Sequence, residues 1–304
     1  MQSNRHHPSH NQPRFSQPDF TMGRWLGILS LCVLLWQVTT PLPIQAQSGE
    51  DAGTIPGGTI PGGELIFLPI VAQQASANRP TPTPIPTAIF DLIPIAGAPV
   101  DRPAATHPDL NLTIRSYTPT TGTLGLIDVN GDIDSNAPQF VNVFAPPRVP
   151  TFMGLYQVYD WDWACAPGGC RGAALTTPEV TLLAVATTPG EALHIPSRSP
   201  EIHAGGYKAM VLYAEATRIT FTYTRDDTAA VGYLVHMEDI LVNPALVALY
   251  EQSNAAGRSL LPALRDGEPF ATAAGTSIKL AIRDTGTFMD PRARKDWWMG
   301  FAME

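Results

Sequence analysis

GGYKAMVLYAEATRITFTYTRDD (205–227), followed by YLVHMEDI (233–240), is the stretch whose reading decides the fold. Arg218–Arg225 (RITFTYTR) alternates with period two, Met210–Ala214 (MVLYA) and Val231–Met237 (VGYLVHM) are strand-length runs on either side of it, and Asp, Gly and Thr fill the gaps between them. Successive side chains of a strand point to opposite faces, so this spacing predicts an antiparallel meander. Working outward, Leu110–Tyr117, Leu124–Val129, Gln139–Phe144, Tyr156–Trp163, Val180–Thr187 and Ser277–Arg283 also read as strands. One helix is expected at about 244–256, with Asn243 as N-cap, Pro244 at the first helical position and Gly257 as the stop. The fold class is therefore mainly β: an antiparallel, sandwich-like sheet domain with one short helix.

Composition agrees with a loop-rich β protein. Only 15% of the 304 residues are charged, while Gly (25) and Pro (30) are abundant. The net charge of −8 speaks against nucleic acid as partner, because phosphate backbones are held by clustered Lys and Arg.

The N-terminal third has a different character. Residues 1–46 read as a signal peptide with a polar leader, and Met22 is a possible true start. Trp25–Trp36 is a 12-residue apolar run behind Arg24, shorter than the about 20 residues a membrane span needs. Export followed by cleavage near Ala46, with no stable span left, is the expectation; retention of the run as an anchor is the alternative. Residues 47–100 form a low-complexity linker containing GTIPGGTIPGG (53–63) and RPTPTPIPT (79–87). Within it, 64–72 (ELIFLPIVA) is apolar and reads as an edge or docking strand. The β domain is placed at 101–304. In an exported protein the pair Cys165 and Cys170, in CAPGGC, is expected to form a local disulfide; a zinc knuckle is the alternative.

PGEALHIP (189–196), Gly205-Gly206-Tyr207 before MVLY, YLVHM (233–237), Asp266–Phe270 and IKLAIRDTGTFMDP (278–291) follow one another in a familiar order. Over about 156–291 the chain resembles the LytM-type (M23) peptidoglycan endopeptidases, and the closing AIRDTGTFMDP is the most specific part of the likeness. The resemblance implies a zinc site made by a His and an Asp four apart and by the second His of a His-x-His. His236 matches the family's His after the tyrosine, one residue displaced, and is the candidate catalytic residue. Lys279 stands where the second zinc-binding His belongs and Ser277 where its catalytic neighbour belongs. The first motif's place holds Asp160 and Asp162 without a His, and His107 lies too far upstream. A protonated lysine cannot bind zinc, so a degenerate, non-hydrolytic relative without a cofactor is expected; a zinc hydrolase with rearranged ligands is the rival. Its candidate ligands are His194, His203 and His236 with Asp160 or Asp162.

Two further features bear on binding. Asp128-Val-Asn130-Gly-Asp132-Ile-Asp134 spaces oxygen donors like a calcium loop, but Ile133 and Gln139 stand where Gly and Glu would be needed, so an Asp/Asn-rich turn is the simpler account. Trp161, Trp163, Trp297 and Trp298, with Arg292 and Arg294, suit glycan stacking and carboxylate binding, or else close the core. The function expected is a secreted or cell-surface, non-catalytic binding or structural module whose ligand is a cell-wall glycan, a peptide or an envelope protein.

Overall fold

The structure, a computed structural model, describes residues 89–300 except residue 130. The signal peptide, most of the linker and the apolar segment 64–72 lie outside the described residues.

The period-two alternation becomes an open antiparallel sheet. Its strands are β1 (Asp91–Pro94), β2 (Tyr117–Thr120), β3 (Phe152–Asp162), β4 (Cys170–Ala174), β5 (Leu182–Ala186), β7 (Tyr207–Glu215), β8 (Arg218–Thr222), β9 (Tyr233–Glu238), β11 (Leu260–Arg265), β13 (Ser277–Asp284) and β14 (Thr287–Phe288). The order is β1-β11-β7-β8-β9-β13-β5-β3-β2, with β4 added on β3 and β14 on β13. A small second sheet joins β10 (Ile240–Val242), β12 (Ala271–Ala273) and β6 (Ala192–Leu193).

Register assigns the two faces of the central strands. Val235 and Met237 of β9 share a face with Ile278, Leu280 and Ile282 of β13, and all five belong to the main core, with Phe140, Phe270, Trp297 and Trp298. The opposite face carries His236, Ala281 and Leu182, which a smaller cluster of Leu112, Val158 and Phe288 covers. Strand hydrogen bonds leave no choice here: shifting β13 by one residue would turn Arg283 and Lys279 into the core.

The helix forms where expected, as α2 (Pro244–Ala255), and the Asn243 side chain accepts from the Ala245 amide at 2.9 Å. Gly257 follows with φ +91°, a conformation glycine adopts without steric cost. Three strand expectations are corrected. In 110–117 the Asn111 side chain accepts from the Thr113 amide, starts a helical turn, α1 (Leu112–Arg115), and Ser116 at φ 61° ends it before β2 begins. Residues Phe140–Val143 form a 3-10 turn, and 124–129 makes only a bridge from Ile127 to Ala293. β1 lies inside the stretch read as linker, paired in register from Asp91↔Ala263 to Pro94↔Leu260. A last helical turn, α3 (Arg294–Trp297), closes the described chain.

Candidate functional site

Strands β8, β9 and β13 lay three rows of side chains across the face opposite the main core. Pairings Thr220↔His236 and His236↔Ala281 make the middle row. Arg218↔Glu238 and Glu238↔Lys279 make the row on one side, and Leu234↔Arg283 the row on the other. Residues 104–117 lie over them, because Thr220 Oγ1 donates to the Leu110 carbonyl at 2.6 Å and Asn111 Nδ2 donates to Tyr213 Oη at 3.3 Å.

This covering buries His236, which is 1% exposed and stacks on Phe288 with ring centres 6.2 Å apart. Thr220 has one hydroxyl proton and gives it to Leu110, so at 2.8 Å it accepts from Nδ1–H of His236. The lone pair then sits on Nε2, which is buried without a partner among the described residues. Burial, reinforced by the Arg283 charge, holds the imidazole well below its ordinary pKa, and it stays neutral.

Beside it lies a charge knot. Asp109 Oδ1 accepts from Arg115 at 2.6 Å and from Arg283 at 2.8 Å. Burial pushes the Asp109 carboxyl up, but the two guanidinium groups outweigh it and hold the pKa at about 2. Burial pulls Arg283 down despite its partner. Its Nε and Nη2 also donate to the Gly286 carbonyl, at 3.1 and 2.5 Å.

The knot forms the inner wall of a cleft of about 230 Å³, whose outer wall is Arg102, His107 and Trp163. His107 Nδ1 accepts from the Asp109 amide at 3.1 Å, and burial lowers the His107 pKa. The neutral ring therefore carries its proton on Nε2 as a donor. Arg102 lies 4.6 Å over the Trp163 ring, and His107 meets that ring edge-on at 5.6 Å. Trp163 remains 42% exposed. An aromatic wall, a fixed carboxylate, guanidinium groups and a neutral imidazole donor thus converge on one small polar opening.

Zinc does not fit the residues around His236. Lys279 forms an ion pair with Asp239 and is held above its ordinary pKa by that partner against the opposing pull of burial, so it carries no lone pair for a metal. Ala281 and Phe288 offer no donor, and the carboxylate whose charge acts on His236, Asp109, is already shared by two arginines. Among the described residues no group of three or more His, Cys, Asp or Glu is arranged to hold a metal. His194 lies half-buried beside Phe144, and His203 bonds the neighbouring Ala204 carbonyl at 3.0 Å. Asp160 is exposed 3.7 Å from Arg115, and Asp162 accepts from the Ala164 amide. The structure does not bring these residues together. Ser277 begins β13 opposite Ala186, away from His236.

No family model, curated protein or solved structure matches this chain.

The remaining candidates divide cleanly. Trp161 and Trp163 stand on the β3–β4 hairpin, closed by the Cys165–Cys170 disulfide. Gly169, at φ +77°, lets the Trp161 indole lie against the loop and donate to the Gly168 carbonyl at 3.2 Å. Trp297 and Trp298 are corrected as stacking residues: at 1% and 0% exposure they are core, packed on Phe140, Phe152 and Tyr233. Their indole N–H groups donate to the Asp290 and Pro291 carbonyls. Arg292 is buried between Asp290 and Glu179, and Arg294 pairs with Asp128 at 3.0 Å. In the Asp/Asn-rich turn it is an ammonium, Lys295 Nζ, that bonds the Gly131 and Asp132 carbonyls at 3.0 and 2.6 Å.

Asp109, Arg102, Arg115 and Arg283 were not singled out by sequence reasoning. One signal was present: Arg283 ends the alternation of SIKLAIR, and an arginine on a covered sheet face needs a carboxylate.

Proposed function

We propose that this chain is a non-catalytic binding module for a cell-wall saccharide, working outside the cytoplasm on a β framework that resembles the LytM-type peptidases. The observation that carries the reading is the cleft beside Trp163, where Asp109 supplies an acceptor, His107 Nε2–H and Arg102 supply donors, and an indole supplies an apolar wall. Sugars present hydroxyls of both hydrogen-bonding senses around a ring with an apolar face, and such a mixed lining matches them. A local disulfide supports an oxidising compartment. Among the described residues no helix is long and apolar enough to cross a membrane.

The test is binding of the full-length protein to purified peptidoglycan and to soluble glycan fragments by calorimetry, with and without EDTA. Binding that survives EDTA and falls at least about tenfold in Trp163→Ala supports the reading. Absence of saccharide binding, or EDTA-sensitive release of wall fragments, overturns it. The zinc hydrolase alternative has one observation in its favour, the unpartnered Nε2 of His236. Stoichiometric zinc in the purified protein, lost on His236→Ala, would select that alternative.

A further inference from the structure

A second opening, of about 450 Å³, lies between the Asp/Asn-rich turn and the C-terminal segment. Its size is that of small-molecule sites. Apolar walls come from Val129, Pro178, Phe288, Met289 and Trp297. Phe288 and Trp297 are also core residues, at 4% and 1% exposure, so these walls are held rigidly by packing beneath them.

The charges at its rim are one-sided. Asp132, Asp134, Asp290 and Asp296 line the opening against a single lining cation, Lys295. Asp290 is neutralised from behind by Arg292 at 2.8 Å. Asp134 is occupied by the Tyr233 hydroxyl at 2.7 Å and the Asn136 amide at 2.8 Å. Lys295 directs its ammonium to two loop carbonyls and stands 3.4 Å from Asp296. Asp296, its side chain only 13% exposed, has no other ionic partner among the described residues. A half-buried carboxylate beside apolar walls, whose one ionic partner, Lys295, is shared with two loop carbonyls, complements an ammonium group on an apolar body.

We infer that this opening is a second ligand site, distinct from the saccharide cleft, which takes a small cationic amphiphile: its ammonium pairs with Asp296, and its apolar part rests on Phe288, Met289 and Trp297. Neutral and anionic molecules of the same shape lose the ion pair, and an anion also meets the acidic rim.

Three probes sharing one body discriminate the charge: 4-phenylbutylamine, 4-phenylbutanol and 4-phenylbutyrate, titrated into the full-length protein by calorimetry. The amine is expected to bind at least about tenfold more tightly than the alcohol, with the acid weakest. Asp296→Asn should reduce amine affinity about tenfold and leave the alcohol unchanged. Thr287→Trp, an exposed substitution on the short strand β14 at the rim, should block both while leaving the melting temperature and saccharide binding in place. Equal affinities for amine and alcohol, no amine binding at millimolar concentration, or amine binding indifferent to both substitutions would overturn the assignment. Saccharide binding, measured on the same samples, reports separately on the other cleft.

Discussion

Asp109→Asn isolates the charge knot. The carboxylate sits between Arg283 and Arg115, whose side chains are 4% and 6% exposed, so its removal leaves Arg283 without a counter-charge and Arg115 with only the exposed Asp160 at 3.7 Å. Breaking a buried pair in this way costs about 3–5 kcal/mol. Part of that loss must titrate. The folded pKa is about 2 against an ordinary 3.8, and at about 1.4 kcal/mol per unit the shift corresponds to about 2–3 kcal/mol of stability. Because the folded value is depressed, this contribution is fully present above the unfolded pKa and is lost as pH falls through the folded one. Urea denaturation of wild type and variant at neutral pH and at about pH 2.5 measures it, and the difference between the two proteins cancels titration of the other carboxylates. The titrating part of the gap should shrink to about a third of its neutral value at the lower pH. A gap under about 1 kcal/mol at neutral pH, or a gap that does not narrow on acidification, would refute the argument that Asp109 holds the two arginines in place.

Three other outcomes are expected. Trp298→Ala, at a site with no solvent exposure and aromatic neighbours at 5.5 and 5.6 Å, should cost about 3–5 kcal/mol in chemical denaturation. Burial raises the Glu238 pKa, so the fold prefers the protonated acid: its contribution is favourable below the unfolded value of 4.5 and lost as pH rises through the folded one. Glu238→Gln mimics the protonated form and should melt no lower than wild type at neutral pH, the difference closing in acid. Replacing Cys165 and Cys170 by Ser opens a loop with a separation of five residues, worth about 2 kcal/mol by chain entropy; a lowered melting temperature and weaker saccharide binding through the Trp163 hairpin should accompany it.

The legible parts of the fold were those written locally. Asn243-Pro244 fixed the helix start, and alternation in 205–240 and 277–283 placed β7, β8, β9 and β13, because strand period and cap chemistry act over a few residues. Where one side chain redirects the backbone the pattern misleads: LNLTIRSY alternates like a strand, yet the Asn111 cap coils it. Pairing between distant segments left little local trace, so β1 was hidden in the linker until β11 showed its partner. The site followed the same division. Trp163 was visible as an aromatic beside a cysteine loop, whereas the Asp109–Arg283 contact spans 174 residues. His236 was picked for its place in a motif; its burial depends on residues 104–117, which precede it by more than a hundred positions.

The strand order has a consequence for how the molecule is made. β5, with the sequence LLAVA, is flanked in the sheet by β3 and β13, and β13 leaves the ribosome about ninety residues after it. Until then one edge of that sticky strand has nothing to pair with, and the middle of the sheet is the last seam to close. Such late, distant pairing is slow and open to misassociation. The newborn chain therefore has a long vulnerable interval in which holding chaperones, or transport before folding, would protect it.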